Sequence, residues 1–402
     1  MSTSTDILII GAGPAGLCLA SALSETGLKI VVVERQSEAS LADPAFDGRE
    51  IALTHHSMQL MRDLGLWDRI APEAISALRD AKVFNGLSLA SLNIGHDNTK
   101  QSELGYLISN HLIRKAAYDQ AKSSPAITLK TEVQVTNILH DSHGVQVTLN
   151  NDEIIKTQLL IGADSRFSET RRAMGIAADM HDFGKTMMVC VMEHPVDHEH
   201  TAWEWFDYGQ TLALLPMNGL QSSVVITLTP DEMDPLMKMS EDDFNREVTG
   251  RFHHRLGPMN LISTRHAYPL VTVYSKNLVG PRFALVGDAA VGMHPVTAHG
   301  FNFGLKGIDT LSTEIKNAVA SGKDIASISL LRRYEQAHRR DTKPLFLATH
   351  AIAKLYGSES PPAKFLRATA IKIGNRITPF KRAVAGFLAD APSKQINHYR
   401  ER

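Results

Sequence analysis

A glycine-rich segment near the N-terminus has the spacing of a phosphate-binding loop. Gly11, Gly13 and Gly16 form a Gly-x-Gly-x-x-Gly pattern directly after the apolar residues 7–10. The first glycine allows a tight turn, the second lets the backbone approach a pyrophosphate, and the third lets a helix pack closely on a strand. A helix that begins here presents free N–H groups and its positive dipole end to phosphates. The pattern predicts dinucleotide binding by this loop, to which Ala15 also belongs.

An acidic residue follows at the distance expected of a ribose-binding group. Glu34 lies eighteen residues after Gly16, at the end of the apolar residues 30–33. Its carboxylate can accept hydrogen bonds from ribose hydroxyls, and it would repel a 2′-phosphate, which disfavours NADP in this pocket. We also count its neighbour Arg35 among the predicted cofactor-binding residues.

Two later segments distinguish FAD from NAD. Asp164 lies where a predicted strand passes into a predicted helix, and Gly287 and Asp288 follow the apolar residues 283–286. Together with the N-terminal loop, these segments resemble the group A flavoprotein aromatic hydroxylases in their order and in the gaps between them. The sequence is therefore expected to bind FAD.

Within that group the sequence is most similar to the ubiquinone-biosynthesis hydroxylases. The segments that carry this resemblance are 47–54, 110–116, 201–206 and 287–304. It implies FAD as cofactor, NAD(P)H as electron donor and O₂ as co-substrate. The implied reaction is hydroxylation of the aromatic ring of a polyprenylated phenol, through a flavin C4a-hydroperoxide. Residues 47–54 and 107–115 most resemble the type that hydroxylates C5 of the demethoxyubiquinol ring.

The resemblance also implies roles for individual residues. Arg49 would stabilise negative charge near the pyrophosphate and the flavin, and Arg114 would contact the FAD chain. Asp288 would accept hydrogen bonds from ribityl hydroxyls, whereas Asp164 would hold the fold of the nucleotide-binding region. Structural roles stay open beside these: a surface charge for Arg49, a helix N-cap for Asp288, and a turn with a salt bridge for Asp164 and Arg172.

The segment 295–302 would lie beside the isoalloxazine ring. Backbone N–H groups of Gly300, Phe301 and Asn302 could stabilise charge at the flavin N1/O2 edge. The candidate catalytic residues are Arg49, Pro295 and His299. His299 stands where the family usually has glutamine, so contact with flavin or substrate and a tolerated substitution both stay open.

Two further segments depart from family patterns. Ser165 stands where the family usually has glycine in the central motif, which weakens the case for a nicotinamide contact there. Trp203-Glu-Trp205 resembles the Trp-x-Trp of flavin halogenases, but no Ile-Pro follows it. A strand of the substrate sheet explains that segment better.

No set of ligands with metal-site spacing stands out among the histidines and cysteines.

The alternation of predicted strands and helices along the chain predicts an α/β fold. Predicted strands at 7–10, 30–33 and 283–286 flank a predicted helix at 14–26, as in a β–α–β unit. Other predicted helices cover 54–65, 110–122, 302–320 and 328–356, with a hairpin-like block at 124–161 and an antiparallel sheet at 184–229. We predict a Rossmann-like FAD-binding domain at 1–75, 100–175 and 276–345. An antiparallel-sheet substrate domain would take 76–99 and 176–275, and a C-terminal helical region 346–402.

Composition excludes several classes of protein. The chain has 402 residues and a formal net charge of −1, which gives no support for nucleic-acid binding. Two cysteines make no disulfide framework. No signal peptide and no apolar run of about 20 residues is evident, so a cytoplasmic location is expected. The expected partners are a lipophilic aromatic substrate and other ubiquinone-synthesis proteins.

The C-terminal segment is basic and amphipathic. Residues 350–402 contain ten Lys or Arg and three acids, a local charge of +7. An apolar stripe with spacings of three and four comprises Ile373, Ile377, Phe380, Val384 and Phe387. Peripheral contact with the inner face of a membrane is one interpretation. A helix packed on the domain with a solvated basic face is the other.

Three other functions stay open from the sequence. They are an FAD-dependent hydroxylase of another small aromatic, an FAD-dependent reductase of prenyl chains, and a non-catalytic flavoprotein scaffold. The first inserts oxygen, whereas the second consumes no O₂ in proportion to product and the third shows no substrate-stimulated NAD(P)H oxidation.

Overall fold

The first layer is a sheet whose centre is parallel. The computed structural model describes residues 2–86, 91–207, 209–295, 300–357 and 378–390. The parallel strands, in spatial order, are β19 (Phe283–Leu285), β11 (Ile154–Gly162), β1 (Ser2–Ile10), β2 (Ile30–Val33) and β8 (Ile127–Lys130). Antiparallel additions are β18 (Val279–Gly280), β10 (Val145–Leu149) and β9 (Val135–His140). The strands have apolar, buried segments at 7–10, 30–33, 159–161 and 283–285, as expected where helices cover both faces of a sheet.

One part of the predicted hairpin block is wrong. β9, β10 and β11 are antiparallel neighbours as expected, but β8 pairs in parallel with β2. The helix α4 (Asn110–Lys122) precedes β8 and supplies the crossover that a parallel connection requires. Short parallel and antiparallel strands look alike in sequence, so the pattern of residues 124–161 does not show that β8 pairs elsewhere.

The second layer is a mostly antiparallel sheet. Its strands, in spatial order, are β20 (Val291–Gly292), β17 (His266–Ser275), β12 (Ala178–Glu193), β15 (Gln221–Leu228), β14 (Gln210–Pro216), β13 (Thr201–Asp207), β5 (Asp80–Asn85) and β6 (Leu92–Gly95), with β16 (Asn260–Leu261) beside β12. A smaller sheet contains β3 (Glu50–Leu53), β7 (Gly105–Ser109) and β4 (Ser76–Leu78). The predicted antiparallel sheet at 184–229 is confirmed.

Helices cover the two sheets. Those in the described ranges, besides α4, are α1 (Pro14–Leu23), α2 (Glu38–Ala42), α3 (His55–Asp63), α5 (Glu169–Ala173), α6 (Pro230–Lys238), α7 (Glu241–Arg251), α8 (Gly300–Ala320), α9 (Ile328–Gly357) and α10 (Thr378–Ala389). α1 packs between α4 and α8 over the parallel sheet. α6 and α7 cover one face of the antiparallel sheet, where Phe244, Val248 and Leu236 are buried with Trp205.

The α/β fold class is confirmed. The parallel sheet draws its strands from separated stretches of chain, as a discontinuous nucleotide-binding domain requires. The domain boundaries given above stay a prediction. Among the described residues, no helix combines the length and the apolar character that crossing a membrane demands.

Candidate active site

The glycine-rich loop joins β1 to α1 with little spare room. Gly11 has a φ of +108°, and a Cβ there would lie 2.6 Å from the Ala163 carbonyl oxygen. A Cβ on Gly16 would lie 2.0 Å from the carbonyl oxygen of Gly11. Gly13 differs, because nothing lies within 4 Å of a Cβ built there. Gly11 and Gly16 therefore close the turn, whereas Gly13 leaves open space at the N-terminus of α1.

Glu34 holds the loop from the end of β2. Its carboxylate accepts hydrogen bonds from the backbone N–H of Ala12, at 2.8 Å, and from that of Gln36, at 2.9 Å. The neighbouring Arg35 is exposed to solvent. Glu34 therefore positions the loop itself, in addition to the ribose contact that the sequence predicts for it.

Arg49 belongs to a polar cluster above the loop. Its Nη2 donates to Asp47 Oδ2 at 2.6 Å, and Asp47 also accepts from Asn110 Nδ2 at 2.7 Å. The guanidinium lies over the Tyr268 ring, 5.3 Å from its centroid. Burial alone raises the pKa of Asp47, but the hydrogen bonds and charge of Arg49 lower it overall. The pair stays ionised, and Arg49 is fixed at the cavity wall.

The central motif folds around Asp164 and Arg171. Asp164 accepts hydrogen bonds from the backbone N–H and hydroxyl of Thr170, both at 2.9 Å, and so holds the start of α5. Arg171 is 2% exposed and donates to the carbonyls of Arg166 and Ala289, both at 3.1 Å. Arg172 is exposed and 3.9 Å from Glu169. The buried link between these distant segments is thus Arg171, which the sequence did not single out.

Asp288 lies in the 3-10 turn Gly287–Ala289 after β19. Its Oδ2 accepts from Arg166 Nη2 at 2.8 Å. Gly287 has a φ of +59°, and a Cβ there would lie 2.6 Å from the Cβ of Ala15, so this turn presses against the start of α1. The N-cap of the turn is Val286, so Asp288 is not the N-cap.

One cavity connects this loop region to the antiparallel sheet. Its volume is about 700 Å³, within the usual range for small-molecule sites. Gly13, Ala15, Gly287 and Asp288 line one end. At the other end, β12 to β15 and β17 supply mainly apolar and hydroxyl side chains: Met187, Val189, Phe206, Thr211, Ala213, Leu215, Ser223, Val225, Thr227 and Leu270. A cofactor and a substrate can therefore meet in one enclosure.

Two half-buried carboxyl groups line the cavity and were not predicted. Burial, assisted by the charge of Asp47, raises the pKa of Glu50 to about 7, although a hydrogen bond from Ser109 opposes this. Burial raises the pKa of Glu204 to about 8. Strand alternation could have predicted that Glu204 faces the cavity, because successive side chains of a strand point to opposite faces. Trp203 and Trp205 point to the other face, where they contact Phe84.

Comparison with known proteins identifies the family. Residues 4–345 match the family model described as an FAD binding domain. Ubiquinone hydroxylase UbiM of Neisseria meningitidis is 44% identical over 388 residues, which are 96% of this chain and 84% of that protein. Ubiquinone hydroxylase UbiL of Rhodospirillum rubrum is 33% identical over 94% of this chain and 87% of that protein.

The chain belongs to the FAD-dependent hydroxylase family of ubiquinone biosynthesis. A more distant relative, the 3-demethoxyubiquinol 3-hydroxylase of Escherichia coli, is 26% identical over 94% of this chain and 96% of that protein. The solved structure of p-nitrophenol 4-monooxygenase PnpA from Pseudomonas putida has a TM-score of 0.78. It covers 97% of this chain and 99% of that one at 17% identity, which shows a shared fold.

The site of this family member fits FAD. Among the described residues, none lies within 4 Å of a Cβ built at Gly13 or Gly300, which leaves space for a ligand. Gly11, Gly16 and Gly287 let the protein segments around that space pack closely on each other. The prediction of an FAD-dependent monooxygenase that uses O₂ and a reduced nicotinamide is confirmed by the family. The roles of individual residues stay predictions.

The structure brings most of the predicted site residues to one cavity. Those that line it are Gly13, Ala15, Arg49, Arg114, Gly287, Asp288, Pro295, Gly300 and Phe301. Asn302 lies just behind: its Nδ2 donates to the Ala52 carbonyl at 2.8 Å, and its Oδ1 accepts from the Thr54 N–H at 3.1 Å. His299 lies outside the described residues.

Metal binding receives no support within the described ranges. They hold no group of three or more His, Cys, Asp or Glu side chains arranged to bind an ion. Cys18 and Cys190 are buried and free, and burial raises the pKa of each thiol to about 12. Both cysteines therefore behave as small core residues.

Proposed function

We propose that this protein hydroxylates the aromatic ring of a polyprenylated phenol in ubiquinone biosynthesis, using FAD, O₂ and NAD(P)H. The observation that carries the proposal is the cavity, because it runs from the glycine-rich loop to an apolar sheet face. The names of the two relatives, UbiM and UbiL, support ubiquinone synthesis as the pathway. An apolar enclosure suits a lipophilic ring.

We propose the following contacts for FAD. The N-terminus of α1, with Gly11, Gly13 and Gly16, would bind the pyrophosphate through backbone N–H groups. Glu34 would bind the ribose, while Arg35 and Arg114 would contact the nucleotide chain. Asp288 would accept hydrogen bonds from the ribityl hydroxyls, with Arg166 holding its carboxylate in place. When bound, FAD would supply electron transfer and the activation of O₂.

The chain itself would position the ring and exclude water. Arg49 is held by Asp47 and Tyr268 beside the cavity, where its charge can stabilise a nearby anion. The backbone from Gly300 to Asn302 would lie along the flavin edge, and Pro295 would border the ring. The apolar side chains of β12, β14 and β15 offer few hydrogen bonds to water at that end of the cavity, which would limit hydrolysis of reactive intermediates.

The ring position stays a prediction. Resemblance of residues 47–54 and 107–115 favours the C5 position of a demethoxyubiquinol-type ring. The relative named for a reaction on demethoxyubiquinol is less similar than UbiM and UbiL, so product analysis must decide the position.

Turnover by the purified protein tests the proposal. Its visible spectrum should show bound flavin, and NADH or NADPH oxidation should rise when demethoxyubiquinol-like phenols are added. The product should gain one oxygen atom by mass. A saturated prenyl chain without added oxygen would establish the reductase instead. Bound flavin without phenol-stimulated oxidation of either nicotinamide would establish the scaffold, and oxygen gain with simple aromatics alone would establish a different substrate.

We also propose that the basic C-terminal segment attaches the protein to the inner membrane surface, close to other ubiquinone-synthesis proteins. The charge of residues 350–402 supports this. One residue of the apolar stripe packs on the protein: Val384 of α10, with its neighbour Ala385, contacts the cluster of Ile94 and Leu104. Ile373, Ile377 and the side chains of Phe380 and Phe387 lie outside the described residues.

Flotation with anionic and neutral liposomes tests membrane attachment. The full chain should float with anionic vesicles at low salt and be released at high salt. A variant with Lys364, Arg367, Lys372 and Arg376 changed to Gln keeps α10 and should lose flotation. Equal flotation of the variant would dismiss the role of these charges.

A further inference from the structure

Glu204 is a carboxyl group at the cavity wall without a polar partner among the described residues. It lies in the middle of β13 and lines the cavity together with Phe206. Trp203 and Trp205 occupy the opposite face, and Trp205 is anchored there because its Nε1 donates to the Gly86 carbonyl at 2.9 Å. The strand therefore cannot turn Glu204 away from the cavity without exposing its tryptophans.

The neighbours of Glu204 across the sheet are apolar. Glu204 is in register with Ala213 on β14, which is in register with Val225 on β15. Val225 is in turn in register with Val189 on β12, and all four line the cavity. A half-buried carboxyl group set in such a row loses part of its hydration and gains no hydrogen bond from these neighbours, which is unfavourable unless a ligand supplies one.

The cations around the cavity are engaged with other groups. Arg49 pairs with Asp47, and Arg166 pairs with Asp288. Lys185 Nζ donates to the Gly209 carbonyl at 3.1 Å. Arg114, which also lines the cavity, donates to Gln36 Oε1 at 3.4 Å. None of these cations forms an ion pair with Glu204 in the described part of the chain.

We infer that Glu204 accepts a hydrogen bond from a hydroxyl group on the aromatic ring of the substrate. This inference rests on the proposed function, which supplies a phenol as the ligand. A phenol hydroxyl has a pKa of about 10 and is a strong donor to a carboxylate. The hydrogen bond orients the ring in an otherwise apolar enclosure. When Glu204 is ionised, the hydrogen bond also increases electron density on the ring, at the positions ortho and para to the hydroxyl.

Ligand binding to the FAD-loaded enzyme, without nicotinamide, tests the role of Glu204. The probes are 2-prenylphenol and its methyl ether, which lacks the donor hydrogen, each titrated at pH 9 while the flavin absorbance is followed. The wild type should bind the phenol roughly 10- to 100-fold more tightly than the ether, as expected for a hydrogen bond to a charged group. Glu204→Gln should lose most of this preference, through weaker phenol binding with unchanged ether binding.

Two variants separate this role from a structural one. Glu204→Asp keeps the charge and should recover part of the preference for phenol. Glu193→Gln makes the same chemical change at the exposed end of β12 and should behave as the wild type. Equal preference in the wild type and Glu204→Gln would overturn the inference while leaving hydroxylation intact. Failure of the FAD-loaded wild type to bind either probe or to hydroxylate any phenol would overturn the proposed function, and the role of Glu204 with it.

Discussion

Ser165 has a backbone conformation that favours glycine. Its φ is +87°, and it lines the cavity in the central motif, where the family usually has glycine. A side chain in this region costs about 1–2 kcal/mol, and the greater chain entropy of unfolded glycine offsets part of the gain from removing it. Ser165→Gly should therefore raise the free energy of unfolding by about 0.5–1 kcal/mol, as measured by urea denaturation.

A serine elsewhere supplies the control for this substitution. Ser142 is exposed in a loop and is not among the residues with positive φ. Ser142→Gly should lower the unfolding free energy by a few tenths of a kcal/mol, because glycine gains entropy only when the chain unfolds. An unchanged or lower stability of Ser165→Gly would show that the strain at this residue is absent.

Glu50 should make stability depend on pH. Burial raises its pKa to about 7 from an ordinary value of 4.5. Between these two values the folded state keeps a proton that the unfolded state has lost, so the folded state becomes less stable as pH rises. Glu50→Gln keeps the acceptor for the Ser109 hydroxyl and removes this loss. The variant should gain about 3 kcal/mol over the wild type between pH 4.5 and 7.5.

Chemical denaturation of the flavin-free proteins across that pH range measures the Glu50 effect. Glu193→Gln, at the exposed end of β12, serves as the control and should follow the wild-type curve. Parallel curves for Glu50→Gln and the wild type would mean that the carboxyl of Glu50 ionises as readily in the folded protein as in the unfolded chain.

In the turn between β1 and α1, we expect Gly13 to matter for cofactor binding and Gly16 to matter for stability. Gly13→Ala should leave the flavin-free protein within about 0.5 kcal/mol of the wild type, because a Cβ there meets nothing within 4 Å. The new methyl group should still weaken FAD binding at least about tenfold, if the pyrophosphate approaches Gly13 as proposed above. Gly16→Ala should destabilise even the flavin-free protein by about 2–3 kcal/mol.

Thermal unfolding without FAD and fluorescence titration with FAD distinguish the two glycines. Gly250→Ala in α7 is the matched control, because a Cβ there also meets nothing and the site is remote from the loop. It should retain FAD affinity. If Gly13→Ala bound FAD like the wild type, the open space at Gly13 would not belong to the cofactor.

Arg171 connects parts of the molecule that lie far apart in the chain. Its guanidinium joins the carbonyls of Arg166 and Ala289, and the second contact spans 118 residues. Arg171→Leu removes both hydrogen bonds and leaves the Ala289 carbonyl with the Ser275 hydroxyl as its side-chain donor, at 3.0 Å. The loss should lower the unfolding free energy by about 1–3 kcal/mol. Because Asp288 lies next to Ala289, FAD retention after gel filtration should also fall.

The neighbouring arginine provides the comparison. Arg172 is exposed and makes only a 3.9 Å contact with Glu169. Arg172→Leu should change stability by less than about 0.5 kcal/mol. Similar losses in both variants would indicate a general effect of charge in this motif, instead of the specific link made by Arg171.

The sequence by itself determined the local elements and the family. The spacing of Gly11, Gly13 and Gly16 specifies a turn, and the periodicity of apolar residues specifies most strands and helices. Both patterns depend only on residues that are close together in the chain. The cofactor followed from the order of three motifs. The α/β class followed from the alternation of elements.

Tertiary structure decided which side chains meet. Arg171, and not Arg172, became buried because the segment at 289 closed over it. Glu50 and Glu204 became cavity residues because their strands belong to different sheets that face one enclosure. β8 paired in parallel because α4 carried the chain across the sheet. These contacts join residues far apart in the chain, so no local pattern encodes them, and burial that shifts a pKa exists only after they form.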